Sequence, residues 1–451
     1  MQTKQPTSRR NFLKSSLAAT TIGLSGGIPM LSSCSSKNKD KKAELTLAPL
    51  LNQAPDGPVL KAGLIGCGGR GTGAAIDFLN AGPNLQIVAL GDVFEDKLNH
   101  CRDILKKEKN VEIPDENCFI GFDNYEKVID SGIDVVLLCA PPHFRPAHLE
   151  AAVNARKHIF MEKPIAVDPV GVRKVLAAIK RSETLNLNII SGTVRRSQKD
   201  YLETRRRVLN GEIGDMVGAH MIRNGGTLWH VKRRPEWTDM EYMLRNWVNF
   251  CWLSGDLLAE QFIHEIDVML WYFNKYPTKA TAWGGRQRRV TGDVYDFFSI
   301  EYLFENGMRG HCASRQIDGC TNGKVEQISC QNGYADAAGK LFDLNGNVIW
   351  EYPYPEQSDT ESEWHVTNPF LQEHINLVTA IRTGNTINDG ESQAYSTLTA
   401  IMGRIAAYTG KDVTWEEVLN SDLYLGPKTY VMGPVAGIPE VVPVPGVPGK
   451  E

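Results

Sequence analysis

The chain has 451 residues, more than one typical domain holds, and its 42% apolar and 23% charged composition is that of an ordinary soluble globular protein. A formal net charge of −4 gives no electrostatic reason to bind nucleic acid.

Residues 1–33 read as an export signal outside the fold. Ser8-Arg9-Arg10-Asn11-Phe12-Leu13-Lys14 is a twin-arginine motif. The apolar run that follows, Leu17 to Leu31, contains Thr20, Thr21, Ser25, Gly26 and Gly27, too short and polar for a stable membrane span. It ends in Leu31-Ser32-Ser33-Cys34, which resembles a bacterial lipobox. Cys34 is therefore expected to carry a lipid anchor, which predicts a periplasmic, membrane-anchored protein. Residues 34–58, rich in Ser and Lys, read as a tether with little to form a core. None of the eight later cysteines forms a C-x-x-C pair, so no metal site is expected, and Cys312, Cys320 and Cys330 are the one cluster that could hold a disulfide.

From Val59 the pattern alternates. Strands are predicted at 59–65, 85–90, 133–139 and 157–161, with helices at 72–79, 97–107 and 148–156. This β-α alternation predicts an N-terminal Rossmann, doubly wound parallel sheet over 59–186. Residues 187–430 then predict a C-terminal α+β domain with a large open, mostly antiparallel sheet. It has helices at 201–209, 368–383 and 392–410 and strand-like runs at 216–223, 279–282, 294–304, 309–315 and 324–330. Residues 431–451 are rich in Pro, Val and Gly and should be extended.

Gly66-Cys67-Gly68-Gly69-Arg70-Gly71 joins the first strand to the first helix, and Asp92 ends the second strand 21 positions after Gly71. That is the full context of a dinucleotide-binding fingerprint. The glycines let the backbone approach a pyrophosphate at the helix N-terminus. Asp92 would accept hydrogen bonds from the adenosine ribose and would repel a 2′-phosphate, so NAD is favoured over NADP.

The segment Cys139-Ala140-Pro141-Pro142-His143-Phe144-Arg145-Pro146-Ala147-His148, followed by Glu162-Lys163-Pro164, resembles the glucose–fructose oxidoreductase / inositol dehydrogenase family (Gfo/Idh/MocA). The resemblance runs from about residue 60 to about residue 415 and includes Glu260, His264 and Asp267, where the family pattern is D-x-x-x-H-x-x-D. Spaced i, i+4 and i+7, these three would share one face of a single helix. The resemblance implies that Lys163 and His264 are the catalytic pair, assisted by Glu260, that Pro141, His148 and Glu162 serve the cofactor site, and that Asp267 faces substrate. A small-molecule sugar, glycoside or polyol and a homo-oligomer are the expected partners. Physically, His264 suits proton abstraction from a hydroxyl near neutral pH, and Lys163 would stabilise the developing alkoxide.

Aromatic side chains crowd the intervening segment. Trp229 and His230, after Gly225-Gly226, and Arg195 are expected at the substrate, while Trp247 and Trp252 read equally well as core. Export adds a demand, because soluble NAD is scarce outside the cytoplasm and the cofactor must be carried out and retained. The resulting reading is an NAD-dependent oxidoreductase acting on a sugar or polyol hydroxyl with a tightly held cofactor. The alternatives are a redox-neutral glycoside hydrolase working through a 3-keto intermediate and a non-catalytic carbohydrate-binding lipoprotein.

Overall fold

The computed structural model describes residues 45–47, 50–354, 368–436 and 441–447. The twin-arginine motif, Cys34 and the start of the tether lie outside the described residues. Glu44–Glu451 forms one compact unit, which contains everything that follows.

The first domain alternates β1 (Leu60–Ile65), α1 (Gly69–Asn80), β2 (Leu85–Asp92), α2 (Glu95–Lys109), β3 (Cys118–Ile120), α3 (Asn124–Ile129), β4 (Val135–Leu138), α4 (Arg145–Asn154), β5 (His158–Met161), α5 (Pro169–Thr184) and β6 (Ile189–Ser191). All six strands are parallel, in the order β3-β2-β1-β4-β5-β6. Strand order reverses between β1 and β4, which opens a crevice at their carboxyl ends. β4 is buried along its whole length, as its run of Val and Leu requires of a strand covered on both faces.

The second domain contains α6 (Lys199–Leu209), β7 (Met216–Gly225), α7 (Asp239–Arg245), α8 (Cys251–Ser254), α9 (Asp256–Glu260), α10 (Ile263–Phe273), β8 (Lys279–Gly285), β9 (Phe297–Leu303), β10 (Arg309–Gln316), β11 (Gly323–Cys330), β12 (Gly333–Asp336), β13 (Lys340–Asp343), β14 (Val348–Glu351), α11 (Pro369–Thr383), α12 (Gly390–Thr409), β15 (Val413–Thr414) and α13 (Trp415–Asn420). The strands make one sheet in the order β14-β13-β12-β11-β7-β10-β9-β8-β15, and only the β7–β10 pairing is parallel. Burial alternates strictly along β9 and β10, so one face packs against the helices and the other stays half-exposed.

The domain boundaries differ from the sequence expectation in two places. β6 lies beyond residue 186, and α11 returns to the first domain. There Ile375, Leu377 and Val378 join the core of Leu64, Phe78 and Phe160, because the second face of the parallel sheet needs a cover. A third core couples the domains at the carboxyl edge. Met240, Met243, Leu244 and Trp252 pack with Val93, Phe94, Phe122 and Phe144 of the first domain and with Leu425 and Tyr430 of the segment after α13. The described part of the tail beyond 431 has no helix or strand. Cys312, Cys320 and Cys330 are all free.

Candidate active site

The glycine loop is shaped by contacts that exclude side chains. Gly66 has φ +97°, and a Cβ there would lie 2.4 Å from the Ala140 nitrogen; a Cβ on Gly71 would lie 1.9 Å from the Gly66 oxygen. Gly68 and Gly69, by contrast, would meet nothing within 4 Å. Two glycines thus close the turn against β4 and the next two leave its outer side open, the cradle a pyrophosphate needs. Gly68 is also the N-cap of α1 and offers no side chain to the helix terminus, which stays available to an anion. Asp92 Oδ2 accepts from the Cys67 nitrogen at 2.7 Å and Oδ1 from the Phe94 nitrogen at 2.8 Å. Burial raises the Asp92 pKa and the two N–H groups oppose that shift. Both oxygens keep a second lone pair for a ribose diol.

Arg70 ties this loop to β5, donating to Glu162 Oε1 at 2.5 Å and to Asp77 at 3.2 Å. Glu162 Oε2 in turn accepts from the Lys163 nitrogen at 3.2 Å. Arg145, buried at the start of α4, donates to the Glu162 carbonyl and twice to the Ala140 carbonyl, at 2.5, 2.8 and 3.0 Å. It pins the turn after β4, which holds Pro141, to the turn after β5. Sequence reasoning quoted Arg145 but gave it no role, since nothing in the pattern marks an arginine as buried. His148 is only 5% exposed, stacked between Tyr125 and Phe144 in the packing of α4. Its buried Nδ1 has no hydrogen-bond partner among the described residues.

Lys163 projects from the first domain onto the second. Its Nζ donates to the Glu260 main-chain carbonyl and, at 3.1 Å, to Glu260 Oε1. That carbonyl is free because α9 ends at Glu260, Gln261 and Phe262 both bond back to Leu257, and a new helix starts at Ile263. Glu260, His264 and Asp267 therefore do not lie on one continuous helix. The break sends the three to different tasks, and it follows from the Phe262 nitrogen bonding back five residues to Leu257 instead of four.

His264 opens α10 with a buried Nδ1 that has no hydrogen-bond partner. Burial, then the charges of Lys163, Arg195, Arg223 and Lys324, hold its pKa well below 6.5. The imidazole is thus neutral at pH 7. Asp267 is 1% exposed and fully engaged. It accepts two bonds from Arg196, both at 2.8 Å, one from Gln393 at 3.1 Å and one from Ser396 at 2.8 Å. The expected substrate contact at Asp267 is corrected to a structural anchor, since no lone pair direction faces open space.

Arg195 lies 3.6 Å from Glu326 and covers the Tyr201 ring. Beside it, Arg223 on β7 pairs with Glu265 at 3.1 Å and Lys324 on β11 pairs with Glu326 at 2.9 Å. Sequence reasoning missed Arg223 and Lys324. The signal existed, because period-2 alternation puts them on the same helix-facing side as Met221 and Ile328. Trp229 and His230 sit in the segment between β7 and α7. Trp229 is half exposed, and His230 lines a cavity of about 200 Å³ with Thr227, Asn249, Arg289 and Asp318, to which neither Lys163 nor His264 contributes. Trp252 is core, at 1% exposure. Among the described residues no cluster of His, Cys, Asp or Glu could hold a metal ion.

Comparison with known proteins places the chain in a family. The oxidoreductase family with an NAD-binding Rossmann fold, GFO/IDH/MocA, matches residues 60–188, and the GFO/IDH/MocA C-terminal domain matches residues 201–336. Inositol 2-dehydrogenase of Salmonella typhimurium is 26% identical over 237 residues, 52% of this chain and 61% of that protein. The chain thus matches less than two thirds of the length of this relative. The fold is similar to scyllo-inositol dehydrogenase from Lactobacillus casei with bound NAD(H) and scyllo-inositol, at TM-score 0.59, 20% identity, 79% of this chain and 99% of that one. It is equally similar to aldose-aldose oxidoreductase from Caulobacter crescentus complexed with glycerol, at TM-score 0.60, 20% identity, 79% and 99%.

Two outcomes follow from the site. Asp267→Ala strands the buried Arg196 charge and should cost about 3–5 kcal/mol of stability in chemical denaturation; an unfolding curve superimposable on wild type would return Asp267 to the substrate. Asp92→Ala should weaken NAD binding and narrow the preference over NADP in equilibrium titration. An unchanged NAD/NADP ratio would remove Asp92 from the ribose.

Proposed function

Since this chain belongs to the GFO/IDH/MocA oxidoreductase family and carries its NAD-binding Rossmann domain, we propose that it oxidises a hydroxyl of a sugar, glycoside or polyol at Lys163 and His264. The observation that carries the reading is that Lys163 of the first domain bonds to Glu260, just before the helix that holds His264, and has the largest of the charge effects that depress the His264 pKa. NAD, when bound, supplies the hydride acceptor. The glycine loop and Asp92 hold its pyrophosphate and ribose.

The protein's own groups then handle the proton and the oxygen. Neutral His264 takes the hydroxyl proton. Lys163 sits beside the oxygen as charge develops; at ~3 Å and an effective dielectric of ~20 its attraction is roughly 5.5 kcal/mol. Glu260 fixes where the ammonium points, through both its carbonyl and its carboxylate. A redox-neutral glycoside cleavage begins with the same oxidation. A non-catalytic carbohydrate-binding role gives no reason for a cation and a neutral imidazole to be brought together.

The reading includes export by the twin-arginine route, a lipid anchor at Cys34 and a retained cofactor. The third core supports retention. Arg245 of α7 pairs with Asp96 through two bonds, at 3.0 and 3.1 Å, and covers the Phe94 ring at 4.0 Å. The Met240 nitrogen donates to Gly433 of the tail, and Tyr430 lies against Phe122 and Phe144. These elements strap the carboxyl edge next to Asp92, where the adenosine half of a dinucleotide lies. With an on-rate of about 10⁶ M⁻¹s⁻¹, a nanomolar site empties in minutes and a picomolar site in days.

Single-turnover absorbance of the nicotinamide tests the chemistry. Lys163→Ala and His264→Ala should each lose most of the rate, and the double variant should be little slower than either, because the two act as a unit. Loss of His264 function requires its protonation, and its pKa lies below 6.5. The acid limb of the pH–rate profile should therefore fall below pH 6.5, and a limb above it would place the base elsewhere. Arg245→Ala should release bound NAD at least several-fold faster in a dilution assay; an unchanged release rate would discard the strap.

A further inference from the structure

Resting on the oxidoreductase reading, one feature of the second domain goes beyond it. Arg223 and Lys324 are direct cross-strand partners in the β7–β11 ladder. Like charges placed directly opposite in an antiparallel pair destabilise a sheet. Each has a carboxylate neighbour, yet the compensation is incomplete. Lys324 and Arg195 share the single carboxylate of Glu326, which also accepts from Tyr201. Arg195 Nε has no hydrogen-bond partner. Glu265, the partner of Arg223, has its pKa pushed up to about 7 by burial, so its negative charge is only partly present at neutral pH. The Arg223 and Lys324 side chains remain 37% and 38% exposed, so both keep donors for a ligand.

These cations stand next to the reacting pair. Glu265 follows His264 in the chain, and the charges acting most strongly on His264 are all positive. A neutral polyol can accept hydrogen bonds from them but brings no negative charge to offset theirs. We propose that the substrate carries an anionic substituent, a carboxylate, which docks at Arg223, Lys324 and Arg195 while a neighbouring hydroxyl meets Lys163 and His264. The substrate class is then a sugar acid or an acid-bearing glycoside. Arg195 suits the planar carboxylate through its fork of donors, and Lys324 acts as a point charge.

The test uses the full NAD-loaded protein and matched pairs: glucuronate against glucose and galacturonate against galactose, with glucose 6-phosphate as an anion of different chemistry. Calorimetry reads affinity and nicotinamide absorbance reads turnover. At least one uronate should bind roughly 10- to 100-fold more tightly than its neutral counterpart. That preference should shrink between about 0.01 M and about 1 M salt, which needs no variant. Arg223→Gln and Lys324→Gln should each reduce the preference several-fold, with NAD affinity close to wild type. Equal or tighter binding of both neutral sugars, with NAD reduced by them, overturns the anion inference and leaves the oxidoreductase reading intact. Selective uronate binding without any NAD reduction supports the anion site and defeats the oxidoreductase reading. Preference for the phosphate over both uronates, or no anionic preference in either pair, overturns the carboxylate assignment.

Discussion

The site depends on one bond between domains, from the Lys163 ammonium to the main-chain carbonyl of Glu260. A lysine at the end of a parallel strand has four rotatable carbons and no intrinsic direction. A carbonyl inside a helix is already spent on the amide four residues on. The break after Glu260 releases that carbonyl, and the lysine spends one of its three donors on it. The same break turns His264 into the first turn of a new helix, where its Nδ1 is left without a partner. Had the helix run through, Glu260 and His264 would lie on one face and the carbonyl would be closed. Domain orientation, lysine aim and histidine environment thus follow from one local interruption.

Around that bond, charges divide into those that are neutralised and those that are not. Arg196 pairs with Asp267 through two bonds, and Arg145 bonds to backbone carbonyls. These are scaffolding, because their bonds run to carboxylate and carbonyl groups of the chain itself and tie distant segments together. Arg195, Arg223 and Lys324 differ: their carboxylates are shared or partly protonated, and two of them reach solvent. Burial costs are offset in the first set by pairing and in the second by shared carboxylates and by solvent at Arg223 and Lys324.

Much of this is legible in the sequence. The parallel sheet follows from apolar runs separated by amphipathic helices, and the glycine loop from its position between a strand and a helix. α5 was not anticipated, although Asp168-Pro169 carries the signal: Asp168 caps the helix by accepting from the Gly171 nitrogen, and proline fills the first position. The Asp267 assignment failed for a different reason. Spacing tells which residues share a face of an unbroken helix, and cannot tell that the helix is broken or that Arg196, 71 residues away, claims the carboxylate. The return of α11 to the first domain is equally invisible locally, because it reflects the need to cover a sheet rather than any property of its own sequence. The aromatic residues divided by burial, with Trp252 in the core and Trp229 half exposed, a distinction composition does not make.

In the proposed reaction, the electrostatics also reconcile a weak base with its task. A histidine whose pKa is held well below 6.5 takes up a proton reluctantly. The cations that make the imidazolium unfavourable act on the substrate oxygen as well, and they favour its negative form. Proton transfer between the two moves a charge across only a short distance in this field, so most of the positive potential cancels. What remains is the difference between the two atoms, set by Lys163, which is aimed by Glu260. Once hydride has left the carbon, the oxygen no longer carries charge, and the imidazolium is left alone among cations. It then loses its proton readily at neutral pH, and the site returns to its starting charge. A histidine of ordinary pKa would hold that proton longer, so the depressed value helps turnover even though it weakens the base.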